Sequence, residues 1–215
     1  MVERLNVLVV ESDAGAAAPA RAELENAGHR VQECRDPHGA AFPCNALVDG
    51  RGCPFDGSPL DVVLDVRSGV RSQPSAREDG VVCALRQYVP VVIAGSSVLN
   101  PYEGFATEIL DGNADLVAAC ERAACAPLEA HSRAAELALH GDLARRSADA
   151  GVHATVRRRR GSLLITVSHT GPLDRATRNM IAVRMRAAVR ELDRFARGID
   201  VVFDAADSSR RVATT

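Results

Sequence analysis

The first 125 residues alternate short apolar runs with amphipathic stretches. Asn6 to Val10 is a short, almost wholly apolar run that leads into Glu11 and Asp13. That is the pattern of a parallel strand buried on both faces, with a site at its carboxyl end. The composition of Ala17 to Ala27 predicts a helix with Leu24 on its apolar side and Gly28 as its stop, and His29 to Cys34 reads as a second strand. Leu60 to Val66 and Val89 to Ala94 predict two more buried strands, the latter ending at Gly95, Ser96 and Ser97. Between them lie a polar loop, Arg67 to Asp79, and a short helix through Gln87. Phe105 to Leu110 is the fifth expected strand and Ala114 to Ala124 the last helix. A helix is also expected between the fourth and fifth strands. Such alternation argues for an α/β fold with a doubly wound parallel sheet, helices on both faces, and ligands held beyond the carboxyl ends of the strands.

From Asp36 to Pro59 the pattern breaks. Pro, Gly, Cys and Asp recur without a period, so residues 36–59 are an irregular insert of the kind that needs a function or a staple.

Beyond Pro127 the pattern changes again. Residues 128–150 are expected to be a connecting helix, and residues 151–205 a small basic α+β (ββαβ) domain. Its parts are a hairpin of His153 to Arg160 and Leu163 to His169, a long helix, and a strand over Ile199 to Phe203. The helix carries an apolar stripe at Ile181, Met185, Ala188, Leu192 and Phe195, with Gly198 as its stop. Residues 206–215 read as a disordered tail, and residues 1–127 as the first domain.

Charge supports this division. Residues 1–130 hold 10 Arg and 19 acids, a net of −9, whereas residues 131–215 hold 16 Arg and 9 acids, a net of +7. The basic half implies an acidic or nucleic-acid partner, or docking between the halves. All 26 basic residues are Arg, as in a GC-rich bacterial coding sequence, and 47% of the chain is apolar, enough for a real core. No signal peptide or membrane span is read, so a cytoplasmic protein with mostly reduced thiols is expected.

The motifs LNVLVVESD, PLDVVLDVRSG and VPVVIAGSS, each at the end of a predicted strand, resemble the receiver domains of two-component response regulators over roughly residues 4 to 126. The resemblance implies a flavodoxin-like fold in which acids after the first strand bind Mg²⁺, an Asp ending the third accepts a phosphoryl group, a hydroxyl residue ends the fourth and a Lys the fifth. By position, Asp65 is the phosphoacceptor candidate, Glu11 and Asp13 with Asp65 the Mg²⁺ set, and the Arg67 carbonyl a further ligand. Such a site needs hard oxygen ligands and a cation to offset the transferred charge. Ser12 occupies the second place of the usual acidic pair, Gly95 stands at the hydroxyl position with Ser96 next as switch candidate, and the chain has no Lys. The first domain therefore reads as a pseudo-receiver, and a homodimer through its last helix is implied by the resemblance alone.

Two other features carry chemistry. Cys34, Cys44 and Cys53, separated by nine and then eight residues, fall at and within the insert. They are a candidate Zn²⁺ or iron–sulfur set, with Cys83, His29 or His38 as a fourth ligand. Equally they are a redox pair at Cys44 and Cys53, or ordinary core thiols, and the paired short spacing usual for zinc is missing. Arg157, Arg158, Arg159 and Arg160 form a run at a strand end, and Arg186, Arg190 and Arg194 recur along the long helix. These are candidates for phosphate or partner binding. A protein partner is favoured over nucleic acid because the chain has no Trp and two Tyr for base stacking.

Three readings follow. The leading one is a non-enzymatic bacterial signalling protein, a pseudo-receiver coupled to a basic output module. The others are a phosphoryl-accepting receiver using Asp65 and Mg²⁺, and a metal- or thiol-based redox sensor.

Overall fold

The computed structural model describes all residues except 1–3, 37, 38, 49–51, 58, 71, 96–98, 112, 113, 144–151, 160, 161, 195 and 206–215. The chain divides into two units, Met1–Ala126 and Pro127–Thr215.

The first unit contains β1 (Asn6–Glu11), α1 (Ala18–Asn26), β2 (Arg30–Glu33), β3 (Val62–Arg67), α2 (Asp79–Arg86), β4 (Val91–Gly95), β5 (Glu108–Leu110) and α3 (Leu116–Cys125). Its five strands form one all-parallel sheet in the order β2-β1-β3-β4-β5. This order, flanked by helices, is consistent with a flavodoxin-like fold. Strands buried on both faces need apolar residues at odd and even positions alike. Accordingly, Val7, Val9, Val62 and Leu64 pack with Leu24 of α1 and Ala119 and Cys120 of α3, while Leu8, Val10, Val63 and Ile93 pack with Val81 and Ala84 of α2 and with Tyr102.

Helix ends follow local chemistry. Pro19 opens α1 in its first turn, where a missing N–H costs nothing, and Asp115 caps α3 by accepting from the Ala118 amide at 2.9 Å. Gly80 lets α2 lie close to the sheet. A Cβ there would stand 2.6 Å from Val10 Cγ1 and 3.2 Å from Cys34 Sγ.

Two crossovers lack an α-helix among their described residues. The β2–β3 insert carries only a 3-10 turn at Asn45–Leu47, in keeping with its irregular sequence. The β4–β5 link, where the alternation predicts a helix, instead carries a 3-10 turn at Glu103–Phe105. Pro101 sits in the middle of that short link, which leaves little room for a helix and the turns at its two ends.

The second unit contains α4 (Glu129–Leu143), β6 (His153–Arg159), β7 (Ser162–His169), α5 (Arg175–Leu192) and β8 (Ile199–Ala205). Its sheet has the order β6-β7-β8, with β6 antiparallel and β8 parallel to β7. The parallel return requires a crossover, and α5 supplies it. Leu163, Ile165 and Val167 of β7 alternate inward onto Ile181, Met185 and Val189 of α5.

The expectation of a connecting helix over 128–150 is corrected here. Ala135 and Leu139 of α4 are buried in the second unit's core, so this helix is part of that unit and not a linker. The stripe on α5 also shifts by one place: Val189 is buried, whereas Ala188 and Leu192 are half-buried. Phe195, Ser96, Ser97, Arg160 and the expected tail lie outside the described residues. No helix among the described residues is long and apolar enough to cross a membrane.

Candidate functional site

The carboxyl end of the parallel sheet is built by the ends of β1, β3 and β4. Register places Asp65 beside Val10 and Ile93, and Glu11 beside Val66. Val10 and Ile93 belong to the core under α2, whereas Val66 packs on the side of α1 and α3. Side chains alternate along a strand, so Asp65 and Glu11 project from opposite faces of the sheet.

The acids after β1 already have partners. Glu11 Oε2 accepts from the Ala17 amide at 3.1 Å, and its Oε1 lies 3.4 Å from Arg77 Nη1. Asp13 Oδ2 accepts from the hydroxyls of Ser12, at 3.0 Å, and Ser68, while the Ser68 amide donates to Ser12 Oγ at 3.1 Å. These bonds fasten the β1 loop to the β3 loop. Among the described residues no three His, Cys, Asp or Glu side chains are grouped so as to hold a metal ion. The expected set of Glu11, Asp13 and Asp65 is therefore not brought together, and strand alternation is the reason.

Asp65 is fully buried, and among the described residues neither of its carboxylate oxygens has a hydrogen-bond partner. Burial, reinforced by Glu78 and opposed by Arg67, pushes its carboxyl up to about 7. Arg67, two residues on and hence on the same face, pairs with Glu78 at 3.0 Å, Nε to Oε1, without hydrogen-bond geometry between those two atoms. Glu78 is held in turn by the Ser75 amide, which donates to Oε2 at 2.5 Å in a capping box. Tyr102 completes the patch, its phenol pushed up to about 12 by burial and then by Glu78 and Asp65. The arrangement can store or release a proton at Asp65, but it gives a phosphoryl donor no path to that carboxylate without local opening.

Gly95 stands where the receiver resemblance would put a hydroxyl residue. Its φ is +103°, and a Cβ there would sit 2.0 Å from the Arg67 carbonyl oxygen. No side chain fits this position, and the carbonyl that the family uses as a metal ligand is packed against it. A small cleft with room for a water or two opens nearby between Glu11, Glu33, Cys34, Arg35 and Arg77. That is far below the few hundred Å³ of a small-molecule pocket.

All six thiols are free. Cys120 is buried in the α1/α3 core and Cys125 is exposed, so only the former packs as an apolar residue. Cys34, Cys44 and Cys53 lie at and within the insert and Cys83 on α2, and among the described residues they form no group of three that could hold a metal ion. Burial is the main cause that pushes the Cys34 thiol up to about 12 and raises that of Cys83. His29 stands apart from them, before the first residue of β2, where its Nδ1 accepts from the Leu5 amide at 3.2 Å and its Nε2 lies 3.4 Å from Glu121. His38 is outside the described residues.

The arginines of the second unit separate into two groups. Arg158 turns inward, its Nη2 3.1 Å from Asp193 Oδ2, and His131 Nε2 lies 3.5 Å from the same oxygen. Arg186 donates to the Ile199 carbonyl at 3.0 Å and Arg190 to that of Ala196, so both brace the turn between α5 and β8. Arg157 and Arg194 are exposed. Arg159 lies in β6. Sequence reasoning missed the roles of Glu78, Tyr102 and Asp193. A charged residue buried in a core leaves no periodic signal, although Ser75 and Glu78 do show the capping-box spacing.

No protein-family model matches the chain, and no curated protein matches it significantly.

Proposed function

We propose that this chain is a non-enzymatic signalling or regulatory protein. Its first unit is a pseudo-receiver, and its second is a small α+β module through which a protein partner is engaged. The observation that carries this reading is the separation of Glu11 from Asp65 onto opposite faces of the sheet. A working phosphoacceptor needs acids converging on one Mg²⁺ beside an accessible carboxylate. In this chain Glu11 is spent on the Ala17 amide and Arg77, and Asp65 is sealed under α2.

A protein partner is favoured over nucleic acid because Arg158 is turned inward onto Asp193, which takes one charge out of the basic surface, and because the chain has no Trp and two Tyr for base stacking. The direct test is incubation of the whole chain with acetyl phosphate and Mg²⁺, followed by intact-mass measurement. No mass gain is expected. A gain of one phosphoryl group that disappears in Asp65→Asn would overturn the proposal in favour of the phosphoryl-accepting reading.

A further inference from the structure

The sheet of the second unit is covered on one face only. Val156 of β6, Ile165 of β7 and Ile199 of β8 are buried with α4 and α5, and side chains alternate along each strand, so their neighbours share the opposite face. Register aligns Arg157 with Leu164 and Asp200 in one row across that face, and His153 with Ser168 and Asp204 in another, with Thr166 and Val202 between the rows. The charged members and Val202 are exposed, and Leu164 and Thr166 are half-buried. Both rows run from a base on β6 through an uncharged residue on β7 to an acid on β8. Within one sheet those charges stand two strand spacings apart, roughly 10 Å. Among the described residues Arg157, Asp200 and Asp204 enter no ion pair, while His153 lies 3.8 Å from Glu136 of α4, which leaves the Arg157 row to carry the pattern. The edges of the sheet suit a partner less well. On β6 the Val156 amide donates to Ser132 Oγ at 2.9 Å and its carbonyl accepts from the Leu128 amide at 2.7 Å. On β8, antiparallel pairing with a second β8 about Val202 would set Asp200 against Asp204 of the copy, like charge opposite like.

We propose that this open face is a homodimer interface, in which two copies stack sheet on sheet about a two-fold axis running along β7. That rotation turns one face onto the other, keeps the strands aligned as in a sandwich of two sheets, and lays each β6 over the β8 of the copy. Arg157 of each copy then meets Asp200 of the other, so the pairing occurs twice, around a centre of Leu164, Thr166 and Val202. An uncharged centre with a charged rim is the usual anatomy of an interface. A two-fold axis across the strands would instead lay β8 on β8, with Asp200 against Asp204 of the copy, and like charges so placed repel. Charge therefore selects the axis, and a second copy is the occupant that presents acid, uncharged centre and base in the complementary order. A face three strands wide is at the small end of specific interfaces, so the dimer is weak and reversible. This inference goes beyond the signalling reading and does not rest on it: that reading is tested by phosphoryl transfer, this one by molecular mass in solution.

The test is sedimentation equilibrium of the full chain over a wide range of concentration, with charge reversals at the exposed positions. A monomer–dimer equilibrium is expected, weakened by about tenfold or more in Arg157→Asp and in Asp200→Arg. Mixed in equal amounts, these two variants should form a heterodimer within about threefold of the parent's affinity, because each reversed charge meets its complement across the axis. The double variant Arg157→Asp/Asp200→Arg should self-associate to the same degree for the same reason. Circular dichroism of every variant is expected to match that of the parent. A parent chain that stays monomeric at the highest concentration, a dimer that both reversals leave unchanged, or a loss that neither mixing nor the double variant repairs overturns the proposal.

Discussion

The guanidinium of Arg67 and the carboxylate of Glu78 lie 3.0 Å apart with both side chains wholly removed from solvent. Each charge is costly to bury alone, and each is tolerable beside the other. Asp65, on the same face of β3, makes this an uneven group of two acids and one base.

That imbalance predicts a pH dependence. The Asp65 carboxyl is held up to about 7 in the folded chain, against an ordinary value of 3.8. Between these values the folded state binds more protons than the unfolded chain, so stability falls as pH rises from about 4 to about 7. The loss from this one group has an upper bound on the order of 4 kcal/mol, at roughly 1.4 kcal/mol for each pKa unit. Asp65→Asn is expected to flatten this slope and to be the more stable protein above about pH 7. Urea unfolding midpoints of both proteins across that range check it, and parallel slopes would contradict the assignment.

Gly95 leaves no room for the hydroxyl side chain that the receiver resemblance would put at this position. With a Cβ placed 2.0 Å from the Arg67 carbonyl oxygen at a φ of +103°, Gly95→Ser must distort the ends of β3 and β4. A cost of about 1–3 kcal/mol from backbone strain is expected. Thermal unfolding of this variant tests it; an unchanged midpoint means that the strand ends relax more freely than their packing implies.

Asp193 is the counter-charge of the second unit. Its Oδ2 faces Arg158 and His131, and its Oδ1 accepts from the Ala196 amide at 2.9 Å. Asp193→Ala would leave Arg158 buried without this partner, a change expected to cost about 3–5 kcal/mol. The double variant Arg158→Met/Asp193→Ala should recover part of that loss. Denaturant titration of the two variants decides between a true pair and two independent contributions.

The arginines of α5 and β6 should divide in the same way by stability. Arg186→Ala removes a charged donor from the Ile199 carbonyl and, because Arg186 is itself largely exposed, is expected to cost about 0.5–1.5 kcal/mol. Arg157→Ala and Arg194→Ala, at exposed positions, should stay within about 0.5 kcal/mol of the parent. If a partner docks on the basic face, these last two substitutions weaken its binding without unfolding the protein, and titration calorimetry against the captured partner would read it.

Much of the fold was legible in the chain itself. Consecutive apolar residues in Val7 to Val10 and Val62 to Leu64, with helix-forming segments between strands, mark buried parallel strands whichever way each side chain points. The same property hid the site. When both faces are apolar, sequence does not announce which face Glu11 or Asp65 will take, and the expectation that they meet around a metal ion came from position alone. The Arg run misled for a related reason, since successive residues of a strand alternate between its faces, and the inward Arg158 needed an Asp193 that lies 35 residues away.

By itself, then, the sequence determined the strand order, every helix but the one expected between β4 and β5, the irregular insert and the change of pattern near Pro127, because these follow from local composition and hydrophobic period. Tertiary structure decided that α4 belongs to the second core, that no side chain fits at Gly95, and that Asp65 and Glu11 take opposite faces of the sheet. Those outcomes depend on strand register and on contacts between residues far apart in the chain, and no local pattern encodes either.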